Sequence, residues 1–242
     1  MSIENFTYLL INFFTVIICF AYSFHPRIRF DRHFLGFLKA SFLVATVFIL
    51  WDAWFTQMGV WWFNDRYLIG ARLLGLPIEE WMFFIFIPFS CVFTYYCLDK
   101  FYNLDWKPKT EHYFTIICII ILFLLTFLNL DKIYTWLTFF LTALSMIYLK
   151  FIAKVTWLGK ASFVYTILLP GFFAVNGVLT GTGIQEAVVN YNSDHFLNIR
   201  MLTIPVEDTV YGYMMILWNI YFFYLFSNLK EKSTLNIPEI RD

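Results

Sequence analysis

Arg72-Leu73-Leu74-Gly75-Leu76-Pro77-Ile78-Glu79-Glu80 stands 128 residues before Arg200-Met201-Leu202-Thr203-Ile204-Pro205-Val206-Glu207-Asp208. The two stretches align without a gap back to Phe63 and Tyr191. Identities fall at Asn64/Asn192, Arg72/Arg200, Leu74/Leu202, Pro77/Pro205 and Glu79/Glu207, and Glu80 and Asp208 agree in charge. Each copy lies between two apolar runs and opens the second of them. A boundary that occurs twice at a fixed offset is the signature of an internal repeat, and it frames the rest of the chain.

Outward from these motifs, stretches long enough to cross ~30 Å of hydrocarbon as helices occur at 4–24, 34–57, 77–98, 112–130, 132–152, 161–181 and 205–228. They are continuously apolar rather than alternating, which favours helices over a closed barrel. Composition demands the same environment. Of 242 residues, 60% are apolar, 23% aromatic and only 14% charged, against roughly 25% charged in a soluble domain. One water-soluble core could not hide that surface. The first run follows Glu4 rather than a basic stretch and is too long for a signal-peptide core, so it is read as the first span.

The expected fold is therefore an all-α integral membrane protein with seven transmembrane helices, built as two parallel three-helix repeats joined by a linker helix. Residues 1–100 would hold spans one to three, 101–131 the linker span, 132–230 spans five to seven, and 231–242 a tail. An odd linker restores the chain direction, so both acidic motifs start helices at the same membrane face. Lys and Arg give that face a side. The connections after spans one, three and five and the tail hold 13 of them, while the other side has Arg66, Arg72, Lys132 and Arg200. The positive-inside rule then puts the amino terminus outside and the carboxyl terminus, with its tail, in the cytoplasm. A net charge of zero without basic clusters argues against nucleic acid as a partner.

A Pro-x-Glu-acid sequence at a helix start has an ordinary explanation: proline suits the first helical turn, and carboxylates favour the positive end of the helix dipole. Two copies inside membrane spans, where carboxylates are costly, point to function. Adjacent helical residues lie about 100° apart. In each pair one carboxylate can face the bundle cavity while the other turns to Arg72 or Arg200. Trp61, Trp62, Trp81, Phe83 and Phe84 would supply an aromatic surround. A buried acid among aromatic rings can protonate a carbon–carbon double bond, the rings can stabilise the cation, and a second carboxylate can take a proton back. Such chemistry suits a lipid-soluble polyene and calls for no cofactor. No metal-ligand spacing occurs around Cys19, Cys91, Cys97 or Cys118, so these are read as buried thiols.

Other residues have two readings each. Asp52 lies between Trp51 and Trp54, as a proton donor or as an interfacial Asp beside an aromatic belt. Asn64 and Asn192 could orient the carboxylates or cap loops. Asn176, near Gly177, could serve the site or join helices, and Trp81 could line the pocket or anchor the interface. Rival classes lack their residues. A retinal protein needs a lysine in its last span, and Lys230 lies beyond it. Asp-rich diphosphate motifs and a dinucleotide glycine turn are both missing from the sequence. A transporter or a non-catalytic protein that binds a lipid-soluble polyene stays open.

Pro77-Ile78-Glu79-Glu80, with Asn176-Gly177-Val178-Leu179-Thr180-Gly181 followed by Ile204-Pro205-Val206-Glu207-Asp208, resembles the membrane lycopene cyclases of the heterodimeric type, in their fused bacterial version. The resemblance covers nearly the whole chain. It implies a cofactor-independent cyclase, an intramolecular lyase in carotenoid biosynthesis, that closes the acyclic ends of lycopene into β-type rings in the inner membrane. It also implies that Glu79, Glu80, Glu207 and Asp208 are the acid/base candidates, supported by Asn64, Asn192, Asn176, Asp52, Arg72, Arg200 and Trp81. The implied partners are lycopene and membrane lipid, and a homo-oligomer is compatible with the sequence. The chain departs from the family pattern at Asn198, where members tend to carry Gly, and at Phe48, the first-half counterpart of Asn176. Related membrane enzymes hydrate the carotenoid end from the same cation, so that alternative stays open.

Overall fold

The computed structural model describes residues 3–227 and Leu229; the expected tail at 231–242 lies outside the described residues. Seven helices long and apolar enough to cross a membrane occur among them. They are α1 (Thr7–Ser23), α2 (Phe34–Gln57), α3 (Ile78–Phe101), α4 (Pro108–Leu128), α5 (Ile133–Ile147), α6 (Leu158–Leu179) and α7 (Val206–Ser227). All seven expected spans are present, with ends shifted by a few residues. α4, for example, starts at Pro108 because proline is at home in a first helical turn. A π-helical turn, Tyr148–Ile152, prolongs α5.

Helices α2, α3 and α7 form the centre, with α1 packed on α3, α5 on α7 and α4 on α5. Two aromatic cores fill it. One gathers Phe30, Phe37, Phe89, Trp157 and Phe223; the other gathers Phe48, Phe55, Trp61, Phe84 and Tyr134 around the ends where α3 and α7 begin. At the opposite end, buried Lys160 bonds Asp99 and Asp105, each at 2.6 Å. Lys150 pairs with Glu111, which also accepts from the Gly159 amide. These ion pairs fasten α4 and its approach to α6.

The connections that carry the motifs hold six short strands that the helical reading omits. Two- and three-residue strands are too short to show a period of two. They are β1 (Trp61–Phe63), β2 (Arg72–Leu73), β3 (Leu76–Pro77), β4 (Val189–Tyr191), β5 (Arg200–Met201) and β6 (Ile204–Pro205). β2 pairs with β3 and β5 with β6 as tight hairpins, and β1 pairs antiparallel with β4 in the register Trp61↔Tyr191, Trp62↔Asn190, Phe63↔Val189. The Asn64 amide donates to the Val188 carbonyl and the Asn192 amide to the Val60 carbonyl, both at 2.8 Å. Shifting every residue by 128 turns this set of pairings into itself. Gly70 and its counterpart Asn198 both have positive φ, +90° and +60°. Asparagine tolerates that region better than other side chains, which accounts for Asn198 where the first copy has Gly70.

Candidate functional site

Pro77 is extended (ψ 148°) and ends β3; α3 starts at the next residue. Glu79 and Glu80 are thus the second and third residues of α3, and Glu207 and Asp208 those of α7. The 100° turn between neighbours separates their roles in the same way in both helices. Glu79 and Glu207 are 0% exposed, whereas Glu80 and Asp208, each 7% exposed, line a cavity of about 770 Å³. That volume lies within the roughly 300–1,000 Å³ of small-molecule sites.

The inner acids hold the loops. Glu79 Oε1 accepts from the Ile69 amide at 2.7 Å, and Asn12 of α1 donates to the Glu79 carbonyl at 2.7 Å. Glu207 Oε1 accepts from the Leu197 amide at 2.8 Å and from the Thr135 hydroxyl of α5 at 2.6 Å. In both, Oε2 is buried without a hydrogen-bond partner among the described residues.

The cavity acids meet phenols. The Tyr8 hydroxyl donates to Glu80 Oε2 at 2.5 Å. Asp208 receives two donors, Tyr134 at 2.6 Å and Tyr191 at 2.8 Å. Tyr8 and Tyr134 are each the second residue of their helix, α1 and α5, two positions out of the 128-residue register, but Tyr191 has Phe63 as its counterpart in that register, so the halves differ here. Burial, and then the Asp208 charge, push the Tyr191 phenol well above its ordinary range, which keeps it a neutral donor. A third cavity carboxyl, Asp52, accepts from the Trp61 indole at 2.5 Å, and its other oxygen is buried without a partner among the described residues. Its counterpart across the repeat is Thr180, also on the wall. Trp61, Phe63, Phe83, Phe84, Tyr165, Phe172 and Tyr211 give the wall its aromatic character.

Several sequence expectations are corrected. Arg72 does not reach Glu80: it bonds Asp65 at 2.6 Å and the Gly75 carbonyl at 3.0 Å, at the surface. Arg200 donates to the Thr203 carbonyl and lies over the Tyr191 and Phe196 rings at 5.6 and 5.0 Å. The β-hairpins carry both arginines away, and backbone amides do the work assigned to them. Asn64 and Asn192 cap short 3-10 turns by accepting from Arg66 and Asp194 amides, and Asn64 also bonds Glu186. They follow the capping reading. Trp81 donates to the Leu73 carbonyl outside the cavity, and Trp62 is half exposed. Asn176 and Asp52 do line the cavity. The residues that sequence reasoning passed over are Tyr8, Tyr134, Tyr191, Asn12 and Thr135. Tyr8 and Tyr134 lie 72 and 74 residues from their acids, a separation that carries no local signal.

One acid from each of two helix starts, Glu80 and Asp208, lines a shared aromatic-walled cavity in a bundle whose seven helices are long and apolar enough to cross a membrane. The lycopene cyclase family model matches residues 5–98 and 131–226, most of the chain. The chain belongs to that family. It is similar to the bifunctional lycopene cyclase/phytoene synthase of Neurospora crassa, 32% identical over 66 residues, which are 26% of this chain and 11% of the relative. The protein of that name from Podospora anserina is 31% identical over 71 residues, 28% and 12% of the two chains. That from Phaeosphaeria nodorum is 33% identical over 69 residues, 27% and 12%. The matched stretch thus spans about an eighth or less of these relatives. No solved structure matches.

Proposed function

We propose that this protein cyclises the acyclic end groups of lycopene to β-type rings by acid/base chemistry, with Glu80 as the acid and Asp208 as the base. One observation carries the reading: two carboxyls from different helices line a single aromatic-walled cavity. Protonation of the terminal double bond leaves a tertiary cation. The next double bond attacks it, closing the ring and moving the charge onto a ring carbon, and loss of a ring proton restores a double bond. One proton enters and one leaves, so the product is an isomer of the substrate. Aromatic faces such as Trp61 and Tyr134, whose centroids lie 5.1 Å apart, stabilise the cation where water is excluded.

The assignment of roles rests on hydrogen bonding. Asp208 accepts on both oxygens, the pattern of a charged carboxylate. Among the described residues Glu80 receives one side-chain donor, which leaves its second oxygen to carry a proton toward the cavity. Asp52 fixes the Trp61 indole against the wall. Glu79 and Glu207 are positioning residues that tie the motif loops to α3 and α7. In this reading the halves 1–100 and 132–230 are parallel repeats about an axis along the membrane normal, joined through 101–131. The chain sits in the inner membrane with its amino terminus outside and its carboxyl terminus in the cytoplasm, without a cofactor.

Expression in lycopene-accumulating bacteria, followed by pigment analysis, tests the proposal. Cyclic carotenoid is expected; unchanged lycopene with good protein expression overturns it, and a hydroxylated acyclic product would mean that water, not a base, captures the cation. Tyr191→Phe copies the first half's Phe63 and removes one donor from Asp208. It should cost about 1 kcal/mol of stability in thermal unfolding and lower ring formation by up to about tenfold. Wild-type behaviour in both assays would show the Tyr191 bond to be idle.

A further inference from the structure

α2 and α6 hold equivalent places 128 residues apart, yet they are packed differently. α2 lies along α7 and against α3, whereas α6 touches α3 and α7 only sparsely. The space so left is continuous with the acid cavity. Its wall continues down α1 and α3 as far as Thr15 and Cys91, eleven residues below Glu80, or about 16 Å at 1.5 Å per residue. On the lipid side its lip is formed by Leu10 and Phe14 of α1, 41% and 65% exposed, and by exposed Gly171 and Ala174 of α6. A Cβ at Gly171 would meet no atom within 4 Å. The preceding Pro170 removes one helix hydrogen bond at the same level.

We propose that this gap between α1 and α6 is a lateral portal through which a long apolar chain enters from the bilayer, end group first, with small residues at 171 and 174 keeping it open. The inference rests on the cyclase reading for the identity of the chain. A full-length carotenoid is longer than the cavity, so its distal part must leave the protein somewhere. The cavity also reaches exposed Ile3 and Glu4 just before the start of α1, but the lip at Phe14 and Gly171 lies towards the middle of α1 and α6, where an apolar chain would meet hydrocarbon. Among the described residues the α2 side is packed closely against α7.

The test places an indole at the lip. Gly171→Trp and Ala174→Trp, with Ala174→Phe as a milder change, are compared with Leu43→Trp and Thr46→Trp, the equivalent lipid-facing positions of α2. Ring formation in lycopene-accumulating cells and lycopene co-purified per polypeptide in detergent are both measured, with thermal unfolding to confirm folding. The lip variants are expected to lose at least about tenfold in both readouts and the α2 variants to stay within about twofold, a contrast that a general effect of bulk at the lipid face would not produce. Normal turnover in folded Gly171→Trp and Ala174→Trp, or equal losses on α2, overturns the portal. If the wild-type protein makes no cyclic product, the cyclase reading fails by itself. Lycopene retained by wild type but not by the lip variants then still supports the portal, and equal retention overturns it.

Discussion

Glu80→Gln and Asp208→Asn each abolish ring formation, with product falling at least about a hundredfold, the usual loss when a positioned proton donor or acceptor is removed. The folded protein survives both changes. An amide keeps the acceptor that Tyr8 needs on Glu80, and one of the two acceptors on Asp208. Pigment analysis in lycopene-accumulating cells, with quantified membrane protein, measures the effect. Turnover within tenfold of wild type in either variant would remove that residue from proton transfer. Lycopene should still co-purify with Glu80→Gln, because the cavity wall is otherwise intact. That result separates loss of chemistry from loss of binding.

Glu79→Ala and Glu207→Ala fail differently: they lose folded protein. Each removes the carboxyl that satisfies a loop amide, Ile69 or Leu197, and Glu207 also holds the Thr135 hydroxyl. A buried donor left without a partner costs about 1–3 kcal/mol, and the vacated side-chain volume adds to that. Thermal unfolding in detergent should drop by several degrees in each single variant, and the double variant should not accumulate. Glu79→Gln and Glu207→Gln keep an acceptor and are expected to retain most of their stability and ring formation to within about tenfold. If they instead lose turnover as fully as Glu80→Gln while remaining folded, the inner acids carry protons themselves. The two acids of each motif are thus separable by which substitution harms what.

Both experiments use a division that adjacent residues on a helix make unavoidable but do not orient. A rotation of 100° ensures that Glu79 and Glu80 face different surroundings. Which of them meets the cavity depends on where α1 and the β2–β3 hairpin pack. The sequence suggested arginine as the partner of the buried acid, since Arg72 and Arg200 recur at the same offset. The hairpins turn those side chains outward, and the recurring arginines bond carbonyls of their own turns, Gly75 and Thr203. Their repetition reflects the loop's construction.

The asymmetry of the site is equally instructive. Aligned copies invite the expectation of two equal half-sites, yet Tyr191 aligns with Phe63, Asp52 aligns with Thr180, and α6 stands off where α2 packs tightly. The shared cavity thus holds two distinct carboxyl environments.

Read alone, the chain determined the seven spans, the doubled motif and the presence of acids inside an aromatic membrane bundle. Those features are written in local composition and in spacing along the sequence, because a helix that must satisfy its own backbone in lipid has to be long and apolar wherever it occurs. Tertiary structure alone decided which acid of each pair meets the cavity, which phenols meet it there, and on which side the cavity opens. These depend on residues some seventy positions apart arriving at one point, and on how closely two similar helices approach their neighbours. No periodicity or motif within a single segment encodes either of them.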